Sequence, residues 1–364
     1  MKKLLFLLLL WPLFVTPCCA ESLPLDVLGE LGALEDGLSE KERAISGSLR
    51  LDGRYNVEEA LRRLWDALLE RLRSALADEL RLGVRLFSLA LGCAVCACLC
   101  DNGSIRDTID RAGCCGAVML VSGRLNGMLN EAGETVRRLT AYANGVLPSL
   151  FTAAAAGGAA LSAPTRYAAA CLAIDVMMHA AQALILPLIY AYYALSVSLS
   201  LYDNPVLRAV ARVCKWGAGT AMTGLTMAFG AYLSLSGLIA GSADAVAVKT
   251  AKTVIARSLP VVGGLLADSA GVLLSAAALI RNSLGAFAMI SVCALCVAPV
   301  AVYSVRLLIL KAAAAASALL PEARLPGLIG DFGTVFGMLL GLIGCCAAML
   351  LIAIVSGLKA VSPL

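Results

Sequence analysis

The chain has 364 residues, of which 60% are apolar and 15% charged, and its mean hydropathy is +0.87. That composition excludes a soluble enzyme of this length and points to an all-α polytopic membrane protein, a transmembrane helical bundle. The net charge of +4 is spread without any run of about five or more basic residues, so the linear sequence offers neither a nucleic-acid surface nor a polybasic lipid-binding patch.

The first 20 residues read as a secretory signal peptide. Lys2 and Lys3 make a charged start, Leu4 to Val15 an apolar core too short to span comfortably, and Cys18-Cys19-Ala20 a small-residue end before Glu21. Cleavage after Ala20 is the first outcome open to this pattern and retention as a signal anchor the second; lipid attachment at Cys18 is weaker, because Val15-Thr16-Pro17 is a poor context for it. Residues 21–82 then form an extracytoplasmic segment without cysteine, hence without a disulfide framework. Within it an amphipathic helix is expected over 56–82. Asn56 caps it, Glu59 completes a capping box, and Val57, Leu61, Leu64, Leu68, Leu72 and Leu76 form one apolar stripe. The opposite face holds Glu58, Arg62, Arg63, Asp66, Glu70, Arg73 and Asp78. Such a helix lies on the membrane surface, packs on a partner, or simply leads into the next span.

Residues 83–364 are expected to form the transmembrane helical domain. Spans are expected over 83–100, 142–161, 168–201, 216–240, 259–280, 284–310 and 334–358, and a shorter apolar run over 112–121 is cut off by Arg124, so the total is seven or eight. With that short run lying flat and an exterior start, Arg106, Arg111, Arg124, Arg137 and Arg138 fall in one cytoplasmic loop, which favours seven spans. Pro148, Pro187 and Pro299 sit inside spans, where each lacks an amide hydrogen, frees a carbonyl and kinks its helix. Gly333, Gly337 and Gly341 recur at every fourth position of the last span. That stripe is either a packing seam within one chain or a face for self-association into a homo-oligomer.

The stretch from Lys249 to Phe287 carries the costliest residue. A lone carboxylate, Asp268, follows Pro260 and the pair Gly263-Gly264 inside the apolar run over 259–280. At the helical rise, Asp268 lies roughly 12 Å past Pro260 and about 20 Å before Arg281, well below either membrane surface and out of reach of that arginine. Gly263, Ala267, Gly271 and Ser275 form a stripe of small residues bordering Asp268, so the acid faces protein or water and not lipid. Two roles stay open: a hydrogen-bonding residue between packed helices, or the lining of a polar path with Ser269, Arg281 and Asn282 on the same stretch.

Catalytic and metal chemistry find little support. Of the 14 cysteines two lie in the signal, and the rest sit in or beside spans rich in Ala, Leu and Gly, where cysteine behaves as a small apolar residue. Cys93-x-x-Cys96 has no second pair at zinc spacing. His179, the sole histidine, lies one helical turn after Asp175 and is placed to hydrogen-bond to it. Tyr202-Asp203 and Gly330-Asp331 faintly resemble the paired motifs of intramembrane aspartyl proteases, but the spacing before Asp331 is one residue too long. Asp203 therefore reads as a turn former and Asp331 as a helix cap. The chain is expected not to be an enzyme and to need no cofactor or metal.

Lys249-Thr-Ala-Lys252, Pro260-Val-Val-Gly263, Leu266-Ala-Asp268-Ser269 and Leu279-Ile-Arg281-Asn282-Ser-Leu-Gly285 together resemble the signature region of the stage III sporulation protein AE family of endospore-forming bacteria. Leu147-Pro148 followed by Ala156-Gly157-Gly158, and Ile185-Leu186-Pro187-Leu188, echo the same family in the same order. The similarity runs from about Val57 to about Leu358. One departure is Ala270-Gly271, where a second acid is expected, which puts in question any mechanism needing a carboxylate pair there.

The resemblance implies a multi-pass protein of the mother-cell membrane around the forespore. It implies partners among the other products of the same sporulation operon, including a secretion-type ATPase and ring-forming proteins, and a partner in the forespore membrane. Together these would form a channel-like, secretion-like apparatus needed for forespore development, with this chain as a non-catalytic subunit. The alternatives are a self-sufficient secondary transporter with Asp268 as its coupling site, and a membrane scaffold that conducts nothing.

Overall fold

The computed structural model describes the backbone of residues 38–46, 56–100, 102–154, 163–258, 263–320 and 324–359, and among these the side chains of 38–46, 56–100, 102–147, 171–232, 284–320 and 324–355. The expected signal peptide over 1–20 and Pro260 lie outside the described residues. So do the side chains of Pro148, Gly263, Gly264, Asp268, Ser269, Gly271, Arg281 and Asn282.

Among the described residues all regular structure is helical. In chain order the helices are α1 (Glu40–Ser46), α2 (Val57–Cys98), α3 (Gly103–Ala154), α4 (Ala163–Ala180), a π-helical turn (Ala181–Ile185), α5 (Leu186–Leu201), α6 (Pro205–Ser258), α7 (Gly263–Ser317) and α8 (Leu325–Lys359). Five segments of the described residues are long and apolar enough to cross a membrane: Val57–Cys98, Gly103–Leu147, Cys171–Leu201, Leu284–Ser317 and Leu325–Val355. The spans expected over 216–240 and 259–280 fall partly or wholly among residues whose side chains lie outside that set.

Several helices are far longer than the sequence suggested. α2 is 42 residues, about 63 Å at the helical rise, against a hydrocarbon core of about 30 Å. The amphipathic helix and the first span are thus one rod, with no break at residue 82. Its start follows the expectation in part: the Asn56 side chain accepts the Glu59 amide at 3.3 Å, but the Glu59 carboxylate pairs with Arg63 instead of reaching back to close the capping box.

α3 corrects the topology. It runs 52 residues without a turn, so the short run over 112–121 and the start of the span expected over 142–161 lie on one helix. Arg106 and Arg138 are then about 48 Å apart along one helix and do not share a loop. α1 makes the same point from the other end. Glu42 pairs with Arg138 at 2.5 Å and Leu38 is buried in the core, which places the expected extracytoplasmic segment and the expected cytoplasmic arginine together. Likewise α7 passes unbroken through Arg281–Ser283, so from Gly263 onward the run expected to end at 280 and the run over 284–310 are stacked end to end in one 55-residue helix and are not folded back as two spans.

Prolines act locally. Pro187 occupies the second position of α5, immediately after the π-helical turn Ala181–Ile185. The wider turn accommodates a ring that would otherwise clash with the carbonyl of Ala183. Pro299 lies inside α7, which continues past it.

α7 and α8 form the interior hairpin. Phe287 and Tyr303 on α7, Phe332 and Phe336 on α8, and Leu86, Leu125, Leu129 and Leu139 on the covering helices are all almost fully buried. α2 runs parallel to α7, since Gly83 lies against Ile309 and Glu79 against Arg306, and α3 returns antiparallel, with Gly113 against Cys93 and Gly116 against Leu89. α5 and α6 close the far side.

Candidate functional site: a closed ion pair between four helices

Arg306 lies inside the apolar part of α7 and is 4% exposed; Glu79, on α2, is 3% exposed. The Arg306 Nε donates to Glu79 Oε2 at 2.6 Å and its Nη2 donates to Oε1, so both carboxylate oxygens are engaged in a bidentate fork. The remaining Nη1 contacts the Met128 sulfur on α3, and the guanidinium carbon stands 5.1 Å from the centre of the Phe336 ring on α8. Tyr303, one turn before Arg306, donates to the Met128 carbonyl at 2.8 Å. α2, α3, α7 and α8 therefore meet at one level. An isolated charge in this setting would cost several kcal/mol, whereas a geometrically closed pair is neutral as a unit and satisfies its own hydrogen bonds. The pair offers no free acid to a proton or an ion; it fixes the mutual register of four helices.

A second polar group lies on the other side of the α7–α8 hairpin. Asp331 Oδ1 accepts the Tyr192 hydroxyl of α5 at 2.9 Å, and Lys215 of α6 stands 6.0 Å from the centre of the same ring. Lys311 of α7 donates to the Gly330 carbonyl at 2.7 Å and to Thr334 Oγ1 at 2.9 Å. Asp331 is thus well inside α8, which begins at Leu325; it is not the expected helix cap, because Tyr192 supplies its hydrogen bond from a neighbouring helix. Asp203 does sit in the turn before α6, paired with Arg208, while Asn204 Oδ1 accepts the Val206 amide at 2.9 Å. Asp175 takes the Asn144 side-chain amide at 3.2 Å, not the expected His179.

The glycine stripe of α8 is occupied within the chain. A Cβ at Gly333 would come within 3.3 Å of Lys311, one at Gly337 within 3.5 Å of Leu307, and one at Gly341 within 3.2 Å of Met222 on α6. Gly263, Gly264, Asp268, Ser269, Gly271, Arg281 and Asn282 all belong to α7, and Pro148 to α3. Along α7, Asp268 is about 57 Å from Arg306, so that acid and the buried pair are separate centres.

Neither Glu79 nor Arg306 was singled out by sequence reasoning. The signal was present for Arg306, an arginine within an apolar run expected to span, where an ionisable residue implies a partner. Nothing in the linear sequence distinguishes Glu79 from the other acids of its amphipathic helix.

A multi-pass helical membrane protein, its interior held by a neutral ion pair, is the class that fold and site define. Residues 51–359 match the family described as stage III sporulation protein AE, and the chain belongs to that family. It is 23% identical over 265 residues to the stage III sporulation protein AE of Bacillus subtilis (strain 168), an alignment covering 71% of this chain and 64% of that relative. The chain thus spans slightly less than two thirds of the curated relative's length. No solved structure matches it.

Proposed function

We propose that this protein is a membrane subunit of a sporulation-specific assembly linking mother cell and forespore, seated in the mother-cell membrane that surrounds the forespore. In this reading it performs no chemistry of its own. Energy would come from a secretion-type ATPase of the same operon, and continuity across the intermembrane space from ring-forming proteins and a forespore membrane partner.

The observation that supports this best is the closure of the Glu79–Arg306 pair within a family defined by sporulation. A charge pair that is fully engaged and buried between four helices suits a stiff structural subunit better than a carrier that must rearrange around a bound ion. The test is a fluorescent fusion expressed from the native promoter during sporulation, with affinity capture from the same cells. A ring or focus at the engulfing membrane, and recovery of the operon's other products, is the expected result. Uniform signal in all membranes of growing cells, together with normal spore yield in a deletion strain, would refute the reading.

A further inference from the structure

On the outer face of the α2–α3 hairpin, Arg81 and Arg85 from α2 and Arg124 from α3 line one cleft of about 110 Å³, with Asp78, Leu82 and Leu120 completing its wall. Three guanidinium groups face a single carboxylate. Arg81 stands 3.7 Å from Asp78, a loose and largely exposed contact, and among the described residues Arg85 and Arg124 make no hydrogen bond or ion pair.

The place of this cleft along the helices matters as much as its charge. From 86 to 98 α2 carries no charged residue, and α3 carries none from 112 to 123; the outward side chains there include Leu91, Val95 and Met119, all exposed. This uncharged band is about 20 Å long, and arginines at its edge can extend their heads beyond it to meet a bilayer of ordinary thickness. At the far edge of the band each arginine has a partner within the chain. Arg111 and Arg324 both pair with Asp107, and the Arg106 Nε donates to the Ala97 carbonyl at 3.0 Å. The near edge, at the cleft, keeps two arginines, Arg85 and Arg124, with no partner among the described residues.

We propose that the Arg81–Arg85–Arg124 cleft binds the phosphate of an anionic membrane lipid headgroup. Guanidinium forks match phosphate oxygens in pairs, and Leu82 and Leu120 lie beside the cleft where the first methylenes of the acyl chains would begin. Basic pockets between helices at this depth are suited to such headgroups. A zwitterionic lipid presents the same phosphate but brings a quaternary ammonium towards three arginines, so the site discriminates by net charge. Free phosphate would meet the arginines but leave the apolar wall and the adjoining exposed band unused.

The test is native mass spectrometry of the full chain in detergent, titrated in parallel with phosphatidylglycerol, phosphatidylcholine and inorganic phosphate. Phosphatidylglycerol is expected to be retained selectively, and the double variant Arg85→Ala/Arg124→Ala to weaken that retention about 30-fold, as two interfacial arginines would imply. Arg62→Ala/Arg63→Ala, which removes as much charge from α2 outside the cleft, should leave retention unchanged and guards against a general loss of charge or folding. Equal retention of the two lipids, binding of inorganic phosphate at comparable strength, or an equal effect of both double variants would each overturn the assignment.

Discussion

Glu79 and Arg306 stand 227 positions apart in the chain and share two hydrogen bonds in a core where neither is more than 4% exposed. Because each charge is tolerated only through the other, single and double replacements should differ in kind. Arg306→Met is expected to destabilise the protein by about 3–5 kcal/mol, leaving Glu79 buried and alone, whereas Glu79→Leu combined with Arg306→Met should recover most of that loss. Thermal unfolding of the purified variants in detergent measures both. A double variant no more stable than Arg306→Met would show that the pair does not govern packing here.

Helix approach on the same face depends on Gly83. A methyl group there would lie 2.6 Å from Ile309 Cγ2, closer than side chains pack, and Gly83→Ala is expected to cost about 1–3 kcal/mol. Adding Ile309→Ala should restore stability by opening the space. Gly337→Ala is the control, since its new methyl would meet Leu307 at an ordinary 3.5 Å and should be neutral or mildly stabilising. Equal losses from the two glycine substitutions in a melting assay would contradict this packing.

Tyr192→Phe removes the hydroxyl that Asp331 accepts at 2.9 Å. A loss of about 1–3 kcal/mol is expected, the usual consequence of stripping a partner from a carboxylate that is partly out of water. Asp331→Asn, which can still accept that hydroxyl, should cost less. If Asp331→Asn proves the more damaging, the carboxylate's charge and not this hydrogen bond is what matters.

Asp268 separates the mechanistic readings in cells. If it lines a polar path, Asp268→Ala and Asp268→Asn should both localise normally yet reduce spore yield, with the loss concentrated after engulfment. If it only hydrogen-bonds between helices, Asp268→Asn should sporulate at the level of the unmodified strain. Heat-resistant spore counts decide it, and normal counts for both variants would leave the scaffold reading in place.

Local rules carried well where the signal was local. Asn56 caps α2 as its position requires, Asp203-Asn204-Pro205 makes the turn before α6, and the apolar runs over 168–201 and 334–358 lie in helices of the expected kind. Asp331 was misread because a carboxylate after glycine resembles a cap until a tyrosine from another helix claims it. The topology was misread at α3, where arginines spaced along one long helix looked like the contents of a loop. Charges on a helix that packs against others need no water-filled turn, as Glu42 and Arg138 demonstrate.

The sequence by itself determined the membrane-spanning helical class, the glycine seam of α8 and the family, because each rests on composition or on neighbours within a turn or two. Only the tertiary structure decided which charges are neutral and which remain open: Glu79 closes on Arg306 across 227 positions, while Arg81, Arg85 and Arg124, from two helices, are left together. The reason is physical. In a low-dielectric interior a charge is settled by whatever lies within a few ångströms of it, and that neighbour is supplied by packing, not by sequence order.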